Sequence, residues 1–372
     1  MKITFPHCGS AWVPLKSLFD RHGIECIVPP STSKRTLSLG VKYSPEWVCM
    51  PYKVLLGNLV EACELGADTI INVGGPGMCR LGYYAKLHER ALRDIGYDFE
   101  MIVFNWEEGG IINLAKVIRQ LLGGKLPWRR VVAEVKHGLT QLKVMEDIEK
   151  QVHWVRPREL TPGGASRIWR GAPERVRAAY APSDLQTVRE AVLAELAALP
   201  LNPSARPLQV GFLGEFFMAM DSFCNMDVEE ELGKRGVQVH RSAFLMEWAK
   251  AWLFLEALGF SHGKKVKKVA GPYLSRDVSG DAIQSLGETI LHQQDGFDGI
   301  VHVLPFTCMP EIIAQNIFPQ VTKDFEIPVL SIVLDEQMGK AGLVTRVEAF
   351  VDLMQRRRRR LEQGAGATNR AG

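Results

Sequence analysis

Seven cysteines are the residues of this chain best suited to chemistry. Their thiolates are soft ligands that select zinc, copper(I) or iron–sulfur clusters. An odd number at wide spacing does not read as a disulfide framework. No C-x-x-C pair occurs, so spacing alone does not name a metal. Five of the seven fall in turns or at expected helix starts. Cys8 lies in Pro6-His7-Cys8-Gly9, Cys49 in Trp47-Val48-Cys49-Met50-Pro51, and Cys79 in the glycine-rich Gly74-Gly75-Pro76-Gly77-Met78-Cys79-Arg80. Cys224 precedes Asn225 and Asp227, and Cys308 lies in Phe306-Thr307-Cys308-Met309-Pro310-Glu311. Cys26, inside an expected strand, and Cys63, inside an expected helix, read as plain core residues, since free cysteine is among the most buried types.

Free N–H groups at a helix N-terminus favour negative charge and lower thiol pKa, producing the thiolate that a metal needs. Prolines after Cys49 and Cys308 mark helix starts, and glycines ahead of Cys79 allow close backbone approach. Cys49, Cys79 and Cys308 are therefore the leading ligand candidates, with Cys8 and Cys224 in the same zone but without a distinctive surrounding pattern. Nearby, Arg80 and Lys53 could offset cluster charge or hold an anionic group, and Lys53 reads equally as a surface salt bridge. Glu215 and Glu311 could handle protons, although a helix dipole accounts for Glu311 as well. His7 could relay protons or ligate metal, but reads first as a hydrogen-bonded histidine beside a turn. The Gly74–Gly77 turn fits neither G-x-G-x-x-G nor a Walker motif, so ATP is expected on a partner.

The elements that would position these residues alternate. Strands are expected at 3–6, 24–28, 69–73 and 100–105, with helices at 12–22, 51–65 and 83–95 between them. Helical periodicity then dominates 111–122, 130–149 and 184–199, and prolines between Pro200 and Pro207 read as a linker. Strands resume at 210–213, 237–240, 299–304 and 328–334, with helices at 228–235, 311–318 and 344–357. This rhythm predicts an α/β chain of two Rossmann-like parallel-sheet domains with a helical segment between them: residues 1–108 with Cys49 and Cys79, helical segment and linker 109–206, second domain 207–358 with Cys308, and flexible tail 359–372.

The bulk composition is that of a globular protein, 46% hydrophobic and 23% charged over 372 residues, with a net charge of +3. No apolar run is long enough to span a bilayer, no signal region opens the chain, and a cytoplasmic protein is expected. The Arg356–Arg360 run could touch nucleic acid or an anionic surface but reads first as a solvated helix end suited to the dipole, and no nucleic-acid module is expected.

The motifs Cys49-Met-Pro-Tyr-Lys53, Gly77-Met-Cys79-Arg80-Leu-Gly82-Tyr83 and Pro305-Phe-Thr-Cys308-Met-Pro-Glu311 resemble the 2-hydroxyacyl-CoA dehydratase family, which includes the D-component of 2-hydroxyglutaryl-CoA dehydratase. Asp335-Glu336-Gln337 and Thr345-Arg346-Val-Glu348-Ala-Phe350 resemble its activase-associated branch, where Thr345, Arg346 and Glu348 would pack or cap a helix start. The resemblance covers both α/β blocks. It implies a [4Fe–4S] cluster on Cys49, Cys79 and Cys308, with Cys8 or Cys224 near it as a candidate fourth ligand. It also implies an ATP-hydrolysing activator that injects a low-potential electron, and a paired, related subunit or second copy. The double-cubane relatives use six cysteines, one more than the five in position here, so a single cubane is favoured. The activity implied is a dehydratase-like lyase or ATP-dependent reductase of anaerobic metabolism, acting on a small or acyl-CoA substrate. A cluster-carrying electron-transfer subunit without a substrate site is the alternative, and a zinc-stabilised or metal-free binding protein is the third reading.

Overall fold

Apolar strands bounded by glycine pair side by side along the chain. β1 (Ile3–Thr4), β2 (Thr69–Gly74) and β3 (Glu100–Asn105) form one parallel sheet in the order β1-β2-β3. β4 (Leu208–Gly214), β5 (Val237–Arg241), β6 (Gly299–Pro305) and β7 (Val329–Leu334) form a second parallel sheet in the order β5-β4-β6-β7. The protein is thus mixed α/β with two parallel sheets. The computed structural model describes residues 1–75, 79–105, 110–250, 262–337 and 339–368. Part of the glycine-rich turn (76–78) and most of the apolar stretch after Trp248 (251–259) lie outside the described residues.

The strand expected at 24–28 pairs only through Ile3 and Cys26. Pro29 and Pro30 follow at once and, lacking N–H groups, cannot extend a ladder. Between the sheets, helices Trp128–Val155, Gly164–Arg177 and Pro182–Ala197 bury Met145, Ile148, Val152, Val176, Leu185 and Leu196 in a core of their own. Among the described residues, no helix is long and apolar enough to cross a membrane.

One larger core runs across both sheets: Tyr52, Leu56, Leu59 and Ile70 cluster with Val210, Phe212, Val303 and Ile332. The Met50–Glu64 helix reaches it because every residue from Met50 to Cys63 is buried. Helix Lys34–Tyr43 crosses it closely. A Cβ on Gly40 would stand 1.7 Å from the Lys53 carbonyl oxygen, and one on Gly57 would stand 1.9 Å from that of Thr36. Only hydrogen fits at this crossing. Thr36 also donates to the buried Glu61 carboxylate at 2.7 Å.

Strand order reverses between β4 and β6, because β5 pairs on one side of β4 and β6 on the other. In open parallel sheets the crevice at the carboxyl ends of strands flanking such a reversal is where ligands bind. Glu215 follows β4 directly, and Cys308 follows β6 by three residues.

Candidate metal centre

The three leading cysteines all precede helices. Cys49 is the N-cap of Met50–Glu64 and Cys308 the N-cap of Met309–Phe325, each with a proline in the first turn. Cys79 stands one residue before the Arg80 N-cap of Leu81–Ile95. Cys79 and Cys308 come after strands, whereas Cys49 comes after the Lys34–Tyr43 helix. The backbone N–H groups of the turns they open pull these thiols towards the thiolate, Tyr52 at Cys49, Leu81 at Cys79 and Glu311 at Cys308.

Burial acts the other way and is the larger effect. It holds the Cys49, Cys79 and Cys308 thiols above the ordinary cysteine range despite the helix N–H donors. The sequence expectation that helix N-termini lower these pKa values is therefore corrected. Desolvation outweighs the dipole at this depth, and a bound cation would have to supply the missing charge. Cys49 and Cys308 are within range of one another's charge, as are Cys49 and Cys79. All seven cysteines are free thiols.

Arg80 ties the three cysteine loops together. Its Nη1 donates to the Trp47 carbonyl at 2.8 Å, two residues before Cys49, and its Nη2 donates to the Thr307 carbonyl, one residue before Cys308. Arg80 itself follows Cys79, whose backbone N–H donates to Ser279 Oγ at 3.4 Å. Thr307 has φ 68°, a left-handed conformation costing about 1–3 kcal/mol in a non-glycine residue.

Around Cys49 the support is aromatic. Its sulfur lies 2.6 Å from the Tyr84 hydroxyl, and the Tyr84 ring packs edge-on to Tyr52 at 5.2 Å. His88 stacks on Tyr52 at 4.3 Å, donates from Nε2 to the Tyr52 carbonyl, and accepts at Nδ1 from Asn72. Burial holds His88 near 4, so it stays neutral and fixes the ring positions.

The acidic side of the crevice is centred on Glu215, whose charge reaches Cys8, Cys49, Cys79, Cys224 and Cys308. Its carboxylate accepts the Met218 N–H at 2.9 Å, and burial pushes its pKa up to about 7. Asp281 accepts from the Phe216 N–H and is raised further, first by burial and then by Glu311 and Glu215. Glu311 is fully buried, accepting from His302 at 2.7 Å and Ser285 at 3.0 Å, with its Oε1 unpaired. Its role is inside this network.

Cys8 caps only a short 3-10 turn, and Cys224 lies in the turn before Val228–Lys234. Both face Asp221 and Glu215; burial and those carboxylates lift Cys8 to about 12 and raise Cys224 well above the ordinary thiol range. Cys26 and Cys63 are buried in the core clusters. Lys53 is no surface salt bridge: it is 6% exposed, pairs with Glu336 and donates to the Glu46 carbonyl, because its helix is buried on all sides. His7 bonds the Pro29 carbonyl at 2.8 Å. Thr345 bonds the Ala341 carbonyl, Arg346 the Ser331 carbonyl, and Glu348 pairs with Arg235.

Zinc bound at about 2.3 Å per sulfur needs thiolates about 4 Å apart. Cys49, Cys79 and Cys308 do not all lie within 4.8 Å of one another, since among the described residues only Glu149, His153 and Glu229 form so tight a group. The three sulfurs are therefore set wider than one tetrahedral zinc ion requires. Glu149 and His153 lie four residues apart on helix Trp128–Val155, but Glu229 comes from helix Val228–Lys234, so the group escaped sequence reasoning. Arg241, with only 3% of its side chain exposed, already pairs with Glu149 and Glu229 at 2.5 and 3.1 Å. The cation of that group is this guanidinium. The chain matches no protein-family model and no curated protein.

Proposed function

We propose that Cys49, Cys79 and Cys308 hold a [4Fe–4S] cluster in the crevice beside the β4–β6 reversal, on a chain of two Rossmann-like halves. The observation that carries this reading is Arg80, which binds the loops of Cys49 and Cys308 from the residue next to Cys79. Soft donors, shared burial and sulfurs set wider than a single ion all support a polynuclear thiolate-bound centre. Such a centre, when bound, supplies one electron at low potential.

The chain's own residues would do the rest. Helix N–H groups and Arg80 would offset the negative charge of the thiolate-bound group, and Glu215, poised to about 7 by burial, would hold or release a proton beside it. Exposed Trp47, Tyr83, Phe306 and Met309 lie within four residues of the ligand cysteines. They offer an apolar rim to a docking protein, in keeping with an ATP-hydrolysing activator as electron donor. The activity proposed is reduction or dehydration of a small substrate, an acyl-CoA thioester in the dehydratase reading. The same rim equally serves a carrier subunit that only relays electrons.

Anaerobic purification followed by iron and sulfide analysis tests the centre. About four irons and four sulfides per chain are expected from the cubane composition, and a colourless protein free of both after reconstitution would end the cluster reading. Titrating reduced protein with acyl-CoA separates enzyme from carrier: a changed EPR signal marks a substrate site, and an unchanged one favours the carrier.

A further inference from the structure

Residues 110–133 contain five cations and no carboxylate: Lys116, Arg119, Lys125, Arg129 and Arg130. Helix Gly110–Leu121 ends there, the chain turns through Gly123 and Gly124 at φ 80° and 73°, and helix Trp128–Val155 begins. A cavity of about 480 Å³ opens at this turn, lined by Lys116, Arg119, Gln120, Gly123, Gly124 and Trp128. Among the described residues none of the five cations forms an ion pair, whereas most other arginines of the chain do.

The pocket is organised around Arg119. Its Nε donates to the Leu126 carbonyl at 3.1 Å, and its guanidinium packs on the Trp128 ring at 5.2 Å. One edge of the guanidinium is thereby anchored across the turn, while its terminal nitrogens keep their donors. Lys116 lies one helical turn back on the same face. Gln120 adds an amide, and a Cβ at either glycine would meet nothing within 4 Å, so the floor is open. Trp128 remains 49% exposed, leaving indole surface free beyond Arg119.

Uncompensated cations select an anion, and a forked guanidinium beside an ammonium matches phosphate oxygens. The cavity falls in the size range of small-molecule sites and far exceeds a single phosphate. An exposed indole provides a stacking surface for a planar base. We propose that this pocket binds a nucleoside phosphate, with its phosphates on Lys116 and Arg119 and its base against Trp128. The site is independent of the cysteine crevice and requires no metal there.

Titration calorimetry on the metal-free full chain tests it, with ADP and inorganic pyrophosphate as probes. ADP should saturate one site per chain, with pyrophosphate weaker, and both affinities should fall as salt rises. Lys116→Ala and Arg119→Ala should each weaken both ligands at least tenfold. Trp128→Ala should weaken ADP to the level of pyrophosphate and leave pyrophosphate unchanged, and Trp128→Phe should restore most of the difference. Circular dichroism confirms that each variant is folded, and Lys264→Ala serves as a distant cationic control. Absence of saturable binding overturns the proposal, as does equal affinity for the two probes, or loss in the Lys264 variant equal to that at Lys116.

Discussion

Arg80 donates to the backbone carbonyl of Thr307, 227 residues further along the chain. Its other terminal nitrogen holds the Trp47 carbonyl, so one guanidinium sets the spacing between the Cys49 and Cys308 loops. Hydrogen bonds from charged donors contribute about 1.5–3 kcal/mol each. Arg80→Ala removes both and is therefore expected to lower stability by about 3–6 kcal/mol in urea unfolding and to reduce reconstituted iron by more than half. Arg80→Lys keeps the charge but not the fork. If the lysine variant retains full iron and stability, the charge and not the bridge is what matters.

Tyr84 and Cys49 provide a second test that needs no metal. The hydroxyl 2.6 Å from the sulfur opposes the rise that burial imposes on the thiol. Removing it in Tyr84→Phe leaves burial unopposed, so the Cys49 pKa moves further up. Because the thiolate is the nucleophile, alkylation of Cys49 in the metal-free protein at pH 8 is expected to slow about fivefold, the equivalent of one hydrogen bond of about 1 kcal/mol. Peptide mass mapping reads the rate, with Cys63 as an unchanged internal reference.

Much of this centre's frame could be read from the chain, and its tuning could not. Pro51 and Pro310 gave away the two helix starts, and glycines bounded the strands. Helix Lys34–Tyr43 was missed because Gly40 breaks its apolar pattern, although Ser33 and Thr36 form a capping box that is visible in the sequence. The Tyr84–Cys49 contact, the Arg80 bridge and the meeting of Glu215 with Asp281 join residues far apart in sequence, and no local pattern encodes them. The pKa direction failed for a physical reason. Helix geometry is a local property, but desolvation depends on what the rest of the chain packs above it.

Glu146 gives a pH dependence with a defined sign. It is 5% exposed and accepts the Met246 N–H, and burial lifts its carboxyl from 4.5 to about 7. Between those values the folded chain holds a proton that the unfolded chain has released, so stability falls as pH rises through this window. At about 1.4 kcal/mol per unit the ceiling is about 3 kcal/mol. Glu146→Gln stays neutral and should lose this slope. Relative to wild type, its urea midpoint is expected to be unchanged or lower at pH 5 and higher at pH 8.5; a constant difference between the two would assign the slope to other groups.

The glycine crossing under Cys49 makes the last prediction. A methyl at Gly40 would collide with backbone of the Met50–Glu64 helix at Lys53, and one at Gly57 with backbone of Thr36. Neither obstacle is a flexible side chain, so the helices themselves must separate. Gly40→Ala is therefore expected to cost about 1–3 kcal/mol, as overpacking does, and to displace Cys49, which caps the helix that moves. Gly171 sits inside helix Gly164–Arg177 with nothing within 4 Å of a Cβ, so alanine there should stabilise by about 0.5–1 kcal/mol. Combining Gly171→Ala with Gly40→Ala restores part of the lost stability, about 0.5–1 kcal/mol, without restoring the crossing. If iron content after reconstitution stays low in that double variant, the close approach of the two helices positions the ligand; if iron returns with stability, the crossing matters only to folding.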